Sequence, residues 1–274
     1  MLRREAHSQR GGTQGSPTSP LLLGSGNADG YLPHAGQSPA PAADVRLSET
    51  ASMSGAKRDH VQVLATEAVG PYTFLRLDRG ELEPGTPGQF FMLEAPGRLL
   101  PRPMSVCLAP PGELGFLIDP IGPGTRALCG LAPGDRLGVL GPLGKGFRLD
   151  VERPLLVGGG IGVAPFPYLS EMLGAPSALL GFRSSWHAEA AALVPNAEVV
   201  LEPTYVTELM PAGHDVLACG PEPMLEAVRR LTRHAQLAWE APMACGYGAC
   251  YGCAVEIDGV LRRLCVEGPV LETA

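Results

Sequence analysis

Close to the C-terminus, Cys245, Cys250 and Cys253 share one glycine-rich loop, Met243-Ala-Cys-Gly-Tyr-Gly-Ala-Cys-Tyr-Gly-Cys, and Cys265 follows at a distance. The spacing Cys-x4-Cys-x2-Cys-x11-Cys is that of a plant-type [2Fe-2S] ligand set, three thiolates from a tight loop and a fourth from a later strand. Such a loop must bring its backbone N–H groups close to the sulfurs. Gly246, Gly248 and Gly252 suit that, because glycine tolerates positive φ and close backbone approach. A zinc site or disulfides are the competing readings. Structural zinc sites pair two short Cys-x2-4-Cys arms, whereas here three cysteines share one loop and the fourth stands alone.

The chain of 274 residues has room for about two domains beside this loop. Its apolar fraction, 45%, is ample for buried cores, and its net charge of −7 without a basic run excludes nucleic acid and an anionic membrane as expected partners. The uninterrupted apolar runs are too short to span a bilayer. Seven cysteines, four of them claimed by the loop motif, point to a reducing, cytoplasmic setting rather than a disulfide framework. Cys107, Cys129 and Cys219 are expected to be buried free thiols.

Residues 1–56 are rich in Gly, Ser, Pro and Ala without sustained periodicity, and are expected to be a disordered extension. Leu21-Leu22-Leu23 is too short for the apolar core of a signal peptide. Met53 stands just before the first periodic stretch, and a functional chain starting near it is the expectation.

Residues 57–150 read as short strands broken by turns. Val61–Ala65 and Tyr72–Leu77 alternate as half-buried strands do, a turn cluster covers Glu83–Gly88, and Gln89–Leu93 is a further strand. Strands at this spacing predict a small antiparallel barrel. Three stretches in it can carry chemistry. Arg102-Pro103-Met104-Ser105 offers an arginine and a serine that can hold a phosphate and a ring edge, although a surface arginine beside a core methionine is the usual explanation of such a stretch. Leu117-Ile118-Asp119, then Gly122-Pro-Gly124-Thr125, resembles a helix start able to bind pyrophosphate, or an ordinary turn. Gly141–Phe147 is a glycine-rich closing loop without the spacing of a nucleoside-triphosphate loop.

Residues 151–236 alternate strand and helix, which predicts a parallel α/β sheet. Pro154–Val157 is a buried strand, followed by the turn Gly158-Gly159-Gly160-Ile161-Gly162 and a segment helical beyond Pro165. Strand, glycine turn and helix form the dinucleotide-binding arrangement, although the glycines depart from a strict G-x-G-x-x-G. Asp215–Cys219 is another strand ending in Cys219-Gly220-Pro221, and Pro223–His234 has the spacing of an amphipathic helix. Ligands bind such sheets at the carboxyl ends of strands, where both turns fall. Arg183, after a strand, is a candidate for a 2′-phosphate or a solvated loop residue. No Ser-His-Asp or Cys-His arrangement has credible context, so no catalytic acid, base or nucleophile is assigned.

Arg-Pro-x-Ser, Gly-x-Gly-Thr, Gly-Pro-Leu-Gly-x-Gly-Phe, Gly-Gly-Gly-Ile-Gly-x-Ala-Pro, Cys-Gly-Pro and the four-cysteine motif occur in that order. In this the chain resembles the electron-transfer subunits of dihydroorotate dehydrogenase B, in the ferredoxin–NAD(P) reductase superfamily. The resemblance covers residues 57–274. It implies a multidomain chain: an FAD-binding antiparallel barrel at 57–150, an NAD-binding Rossmann-like α/β domain at 151–236 and a small [2Fe-2S] domain at 237–274. By matching position it implies that Arg102, Pro103, Met104, Ser105, Leu117, Ile118, Asp119, Gly124 and Thr125 line FAD. Gly158, Gly159, Gly160, Gly162, Cys219, Gly220 and Pro221 would face NAD, with Cys219 approaching the nicotinamide. It further implies an FMN-containing catalytic subunit as partner, in a heterotetramer of two of each, oxidising dihydroorotate to orotate in pyrimidine synthesis. Two positions depart from the wider pattern. Asp119 is acidic where the family often has a basic or neutral residue. Met104 stands where plant-type reductases place an aromatic, which favours the dihydroorotate type.

Nicotinamide exchanges hydride and a [2Fe-2S] cluster passes single electrons, so FAD, which does both, is expected between them. The competing functions are the equivalent subunit of a sulfhydrogenase, sulfite reductase or ferredoxin–NADP oxidoreductase complex, and a cluster-bearing scaffold subunit without NAD chemistry.

Overall fold

The computed structural model describes residues 55–257 and 259–273. The extension read over residues 1–56, with the start expected near Met53, lies outside them apart from residues 55 and 56.

The barrel is built from β1 (Lys57–Val69), β2 (Tyr72–Asp78), β3 (Phe90–Leu93), β4 (Arg102–Ser105), β5 (Glu113–Ile118) and β6 (Arg136–Leu143). All pairings are antiparallel in the order β4-β3-β6-β1-β2-β5, and the outer strands β4 and β5 approach each other, so the sheet nearly closes. The helix start expected at Gly122 is real: α1 (Pro123–Cys129) interrupts the strands between β5 and β6. Strand β5 does not alternate, because both its faces are covered. Leu114, Phe116 and Ile118 enter the barrel core, whereas Leu117 joins a second core shared with the following domain. Strand β2 divides likewise, with Leu75 and Leu77 inside and Tyr72 and Phe74 outside.

The second sheet holds β7 (Pro154–Gly159), β8 (Ser177–Phe182), β9 (Ala197–Leu201), β10 (Asp215–Cys219) and β11 (Ala235–Ala238), all parallel. Helices α2 (Phe166–Met172), α3 (Val206–Leu209) and α4 (Glu222–Leu231) fall between its strands. Helix α4 stops short of His234, since the chain must extend to enter β11. After β11 come the cysteine loop, the hairpin β12 (Ala254–Ile257) and β13 (Val260–Arg263), and β14 (Val270–Glu272). Strand β14 returns antiparallel to the edge of β11, giving the order β14-β11-β10-β7-β8-β9. The sheet therefore takes residues from both sides of position 236.

Among the described residues, three hydrophobic clusters hold these parts together. One fills the barrel. A second joins Tyr72, Phe74, Cys107 and Leu117 of the barrel to Leu156, Leu180, Leu217 and Cys219 of the sheet. The third joins Phe90, Met92 and Leu143 to Val157 and Leu237, and to Cys253 and Cys265. Gln236, buried at 8% exposure, is paired at both ends: its Oε1 accepts from the Arg148 N–H at 2.6 Å and its Nε2 donates to the Arg148 carbonyl at 3.1 Å. An amide buried there without partners would be costly. Among the described residues no helix is long and apolar enough to cross a membrane.

Candidate redox site

The four cysteines come together as two pairs. Cys253 Sγ and Cys265 Sγ lie 3.2 Å apart and are buried, whereas Cys245 is half-buried, Cys250 is exposed, and their thiols hydrogen-bond each other. None is in a disulfide. Among the described residues no three His, Cys, Asp or Glu side chains form a single metal-binding group. Two separate thiol pairs match a two-iron cluster, in which each iron takes two thiolates, better than one tetrahedral ion.

The loop backbone is turned toward the sulfurs. The Gly248 N–H donates to Cys265 Sγ at 3.1 Å, the Gly252 N–H to Cys250 Sγ at 3.4 Å, and the Cys265 N–H to Cys253 Sγ at 3.5 Å. Gly248 has φ +88°, and a Cβ there would press on Val266 at 2.7 Å, so glycine is required on both counts. At Cys245 burial opposes ionisation, but the N–H groups of Tyr247, Cys250 and Ala249 and the Cys250 thiol outweigh it and hold the thiol down at about 7. Cys265 is pushed up to about 12, first by burial and then by the Cys253 thiol, against the Gly248 N–H. Thiolate-stabilising N–H groups and paired thiols are what an iron–sulfur cluster needs from its protein.

On the barrel, Arg102, Pro103, Met104 and Ser105 make up strand β4 and are all half-buried. The Arg102 guanidinium lies over Gly124, where any Cβ would collide with it, and donates to the Leu100 carbonyl at 2.8 Å. Thr125 Oγ1 accepts from the Gly122 N–H at 3.0 Å and fixes the entry to α1. The fold thus brings the arginine to the start of α1, two stretches that are separate in sequence. Leu117 and Ile118 are buried at the end of β5.

The two turns of the α/β sheet meet as well. Cys219 pairs in register with Gly158, and a Cβ at Gly162 would run into the Cys219 carbonyl, so the backbones touch. Beside them lies a cavity of about 520 Å³, lined among others by Gly159, Gly160, Pro221, Arg183 and Glu202. Asp119 and Tyr72 also line this cavity. Burial first, and then Asp119, push the Tyr72 hydroxyl up to about 12, with Arg183 opposing. Arg183 Nη2 lies 2.8 Å from His187 Nε2, and His187 meets Tyr72 edge to face at 6.1 Å between ring centroids. Tyr72, His187 and Glu202 had no motif to single them out in the sequence; the domain contact alone places them in the cavity wall.

Residues 240–274 match the model of the iron–sulfur cluster binding domain of dihydroorotate dehydrogenase B. The chain is 35% identical over 246 residues to the dihydroorotate dehydrogenase B (NAD(+)) electron transfer subunit of Geobacillus thermodenitrificans, covering 78% of this chain and 96% of the relative. It is 33% identical to that of Clostridium perfringens, covering 67% and 83%. Among solved structures, an NADH-dependent reduced ferredoxin–NADP oxidoreductase superposes with a TM-score of 0.67 at 21% identity, over 77% of this chain and 87% of the other. Phthalate dioxygenase reductase, a modular structure for electron transfer from pyridine nucleotides to [2Fe-2S], does so with 0.57 at 14%, over 72% and 85%. These two establish a reductase fold of barrel and α/β sheet. Sequence identity at that level over nearly the whole of its relatives, with the cluster-binding segment matched besides, makes the chain a member of the family of dihydroorotate dehydrogenase B (NAD(+)) electron transfer subunits.

Proposed function

We propose that this chain passes electrons from the catalytic subunit of a dihydroorotate dehydrogenase, through a [2Fe-2S] cluster and FAD, to NAD(+) in pyrimidine biosynthesis. The observation that carries this is the four-cysteine loop, with its two thiol pairs and inward N–H groups, on a reductase fold of the same family. FAD supplies the conversion between hydride and single electrons. Arg102, Ser105, Gly124 and Thr125 hold it on the barrel, where a guanidinium and a helix start face one place. The Gly158–Gly162 turn and Cys219-Gly220-Pro221 take the dinucleotide against the cavity described above. The division into an FAD barrel at 57–150, an NAD domain at 151–236 and a cluster domain at 237–274 follows this assignment of cofactors, with β11 and β14 carrying the sheet of the second across the boundary to the third.

The partner oxidises dihydroorotate on its own FMN, in an assembly of two subunits of each kind in the cytoplasm. Its docking surface is the cluster end of the chain. Cys250 is exposed, and so are Tyr247 and Tyr251 in the same loop and Val260 and Leu261 in the hairpin that follows it. A cluster that exchanges electrons with a partner must be reached from outside, and apolar surface at that point is what a stable interface covers.

Replacing Cys250 with Ser tests the order of the stations. A hard oxygen replaces a thiolate that iron prefers, so cluster content or potential changes. NADH-driven reduction of an artificial acceptor that draws from FAD should survive, while dihydroorotate-driven NAD(+) reduction by the complex collapses. Retention of the coupled reaction in a variant shown to lack its cluster would sink the proposal.

A further inference from the structure

Reduction of a [2Fe-2S] cluster adds one electron, so its sulfurs carry more negative charge afterwards. Groups that meet this charge favour the reduced form and raise the potential. The inward N–H groups of the cysteine loop are one such set. Their peptides must themselves be held, and a side chain outside the four ligands does so. This inference rests on the cluster of the proposed function.

We propose that Arg263 is a positioning residue for the cluster: it clamps the outer turn of the cysteine loop and raises the reduction potential by polarising the peptide between Gly248 and Ala249. Arg263 is half-buried at the end of β13, two residues before Cys265, and pairs in register with Ala254, next to Cys253. Its main chain is anchored, since its N–H donates to Glu267 Oε2 at 2.6 Å. The side chain then turns back over the loop. Nη1 donates to the Gly248 carbonyl at 3.3 Å, and the guanidinium carbon lies 5.1 Å from the centre of the Tyr251 ring. These two contacts bracket Cys250, the exposed ligand. Both fall on residues in the left-handed region, Gly248 at φ +88° and Tyr251 at φ +58°. For a tyrosine that conformation is unfavourable and persists only where the surroundings over-determine it. A cation over its ring is such a restraint.

The peptide that Arg263 grips also reaches a ligand. A trans peptide points its carbonyl and its N–H in opposite directions. Here the Gly248 carbonyl faces Arg263, and the Ala249 N–H faces the Cys245 sulfur. A cation on the carbonyl side draws electron density through the peptide and makes the N–H a stronger donor, as successive hydrogen bonds polarise one another. The preceding peptide sends the Gly248 N–H to Cys265 Sγ at 3.1 Å. One arginine therefore reaches both thiol pairs. It polarises the donor to Cys245 and steadies the donor to Cys265. Its charge does not titrate at any working pH, so the effect is constant.

Potentiometric titration of the holo complex, followed by the electron paramagnetic resonance of the reduced cluster, reads only clusters that have assembled. In Arg263→Gln a donor for the Gly248 carbonyl remains while the charge is lost. The equilibrium constant for reduction should fall by about tenfold, which is about 59 mV in midpoint potential for one electron. Arg263→Lys keeps the charge and should stay within about twofold of wild type. Arg262→Met removes the same formal charge from the neighbouring exposed position on β13 and should also stay within about twofold. A potential in Arg263→Gln equal to wild type would overturn the proposal, because a residue that merely held the loop gives that result. An Arg262→Met shift as large as that of Arg263→Gln would overturn it too, since net charge alone would then account for both. Arg263→Gln without any cluster makes the arginine part of the site's construction and ends the tuning role. A wild-type complex whose chain holds no iron and acid-labile sulfide instead overturns the functional reading itself.

Discussion

Arg102 is a residue whose partner could not be read from its neighbours in sequence. In the structure its guanidinium covers Gly124 and points one charge at the start of α1. A charged hydrogen bond to a phosphate or flavin edge contributes about 2 kcal/mol, roughly thirtyfold in affinity. Arg102→Ala should therefore weaken FAD retention by about that factor while iron content stays near wild type. Equilibrium dialysis against FAD with iron analysis on the same sample checks it; parallel loss of both cofactors would point to a misfolded barrel instead. Arg183, after β8, a candidate for a 2′-phosphate or a solvated loop residue, lies 2.8 Å from His187 and lines the same cavity. Glu202, beyond the next strand, lines the cavity as well.

At the scale of elements, the strands that bridge domains explain where periodicity misled and where it held. Strands β2 and β5 bury alternate residues in different cores, so neither presents a polar face. The glycine turn after β7 needs no such help, because strand, turn and helix occur in an order that any parallel sheet uses in the same way. Strand β11 is held from the side by Gln236, whose amide spans the Arg148 N–H and carbonyl. Gln236→Leu leaves both Arg148 groups without their partner at a part-buried position, which costs about 2 kcal/mol. The expected result is a melting temperature lower by about 6 °C, with the cysteine loop still able to take up iron. An unchanged melting curve would mean that water replaces the amide.

The whole molecule is one chain of contacts from the barrel to the cluster. Phe90, Met92 and Leu143 pack in the same cluster of residues as Cys253 and Cys265, so the cysteine loop is seated on the barrel rather than tethered to it. What remains open is its outer side, with Cys250 and Tyr251, and Val260 and Leu261 on β13 are exposed too. Leu261, on β13, is 61% exposed. Covering one such side chain contributes about 2 kcal/mol. Leu261→Glu should weaken association with the catalytic subunit by about thirtyfold, measured by sedimentation or copurification. The isolated subunit's NADH oxidation should be unchanged. An association constant equal to wild type would move the interface elsewhere.

The four cysteines, their glycines and the Gly158–Gly162 turn were legible in the sequence, because each is a local device. A thiolate set on a tight loop, or a dinucleotide turn between strand and helix, needs residues that are close in the chain. Order along the chain then sufficed for the family. The pairing of the cysteines, the meeting of Arg102 with Gly124, and the cavity wall of Tyr72, Asp119 and His187 were not legible. Each depends on a contact between segments distant in sequence. Return of β14 to the edge of β11 belongs to the same group. Burial on two sides, and the electrostatics that follow from it, arise only when the domains close on each other, and no pattern of residues within one segment encodes them.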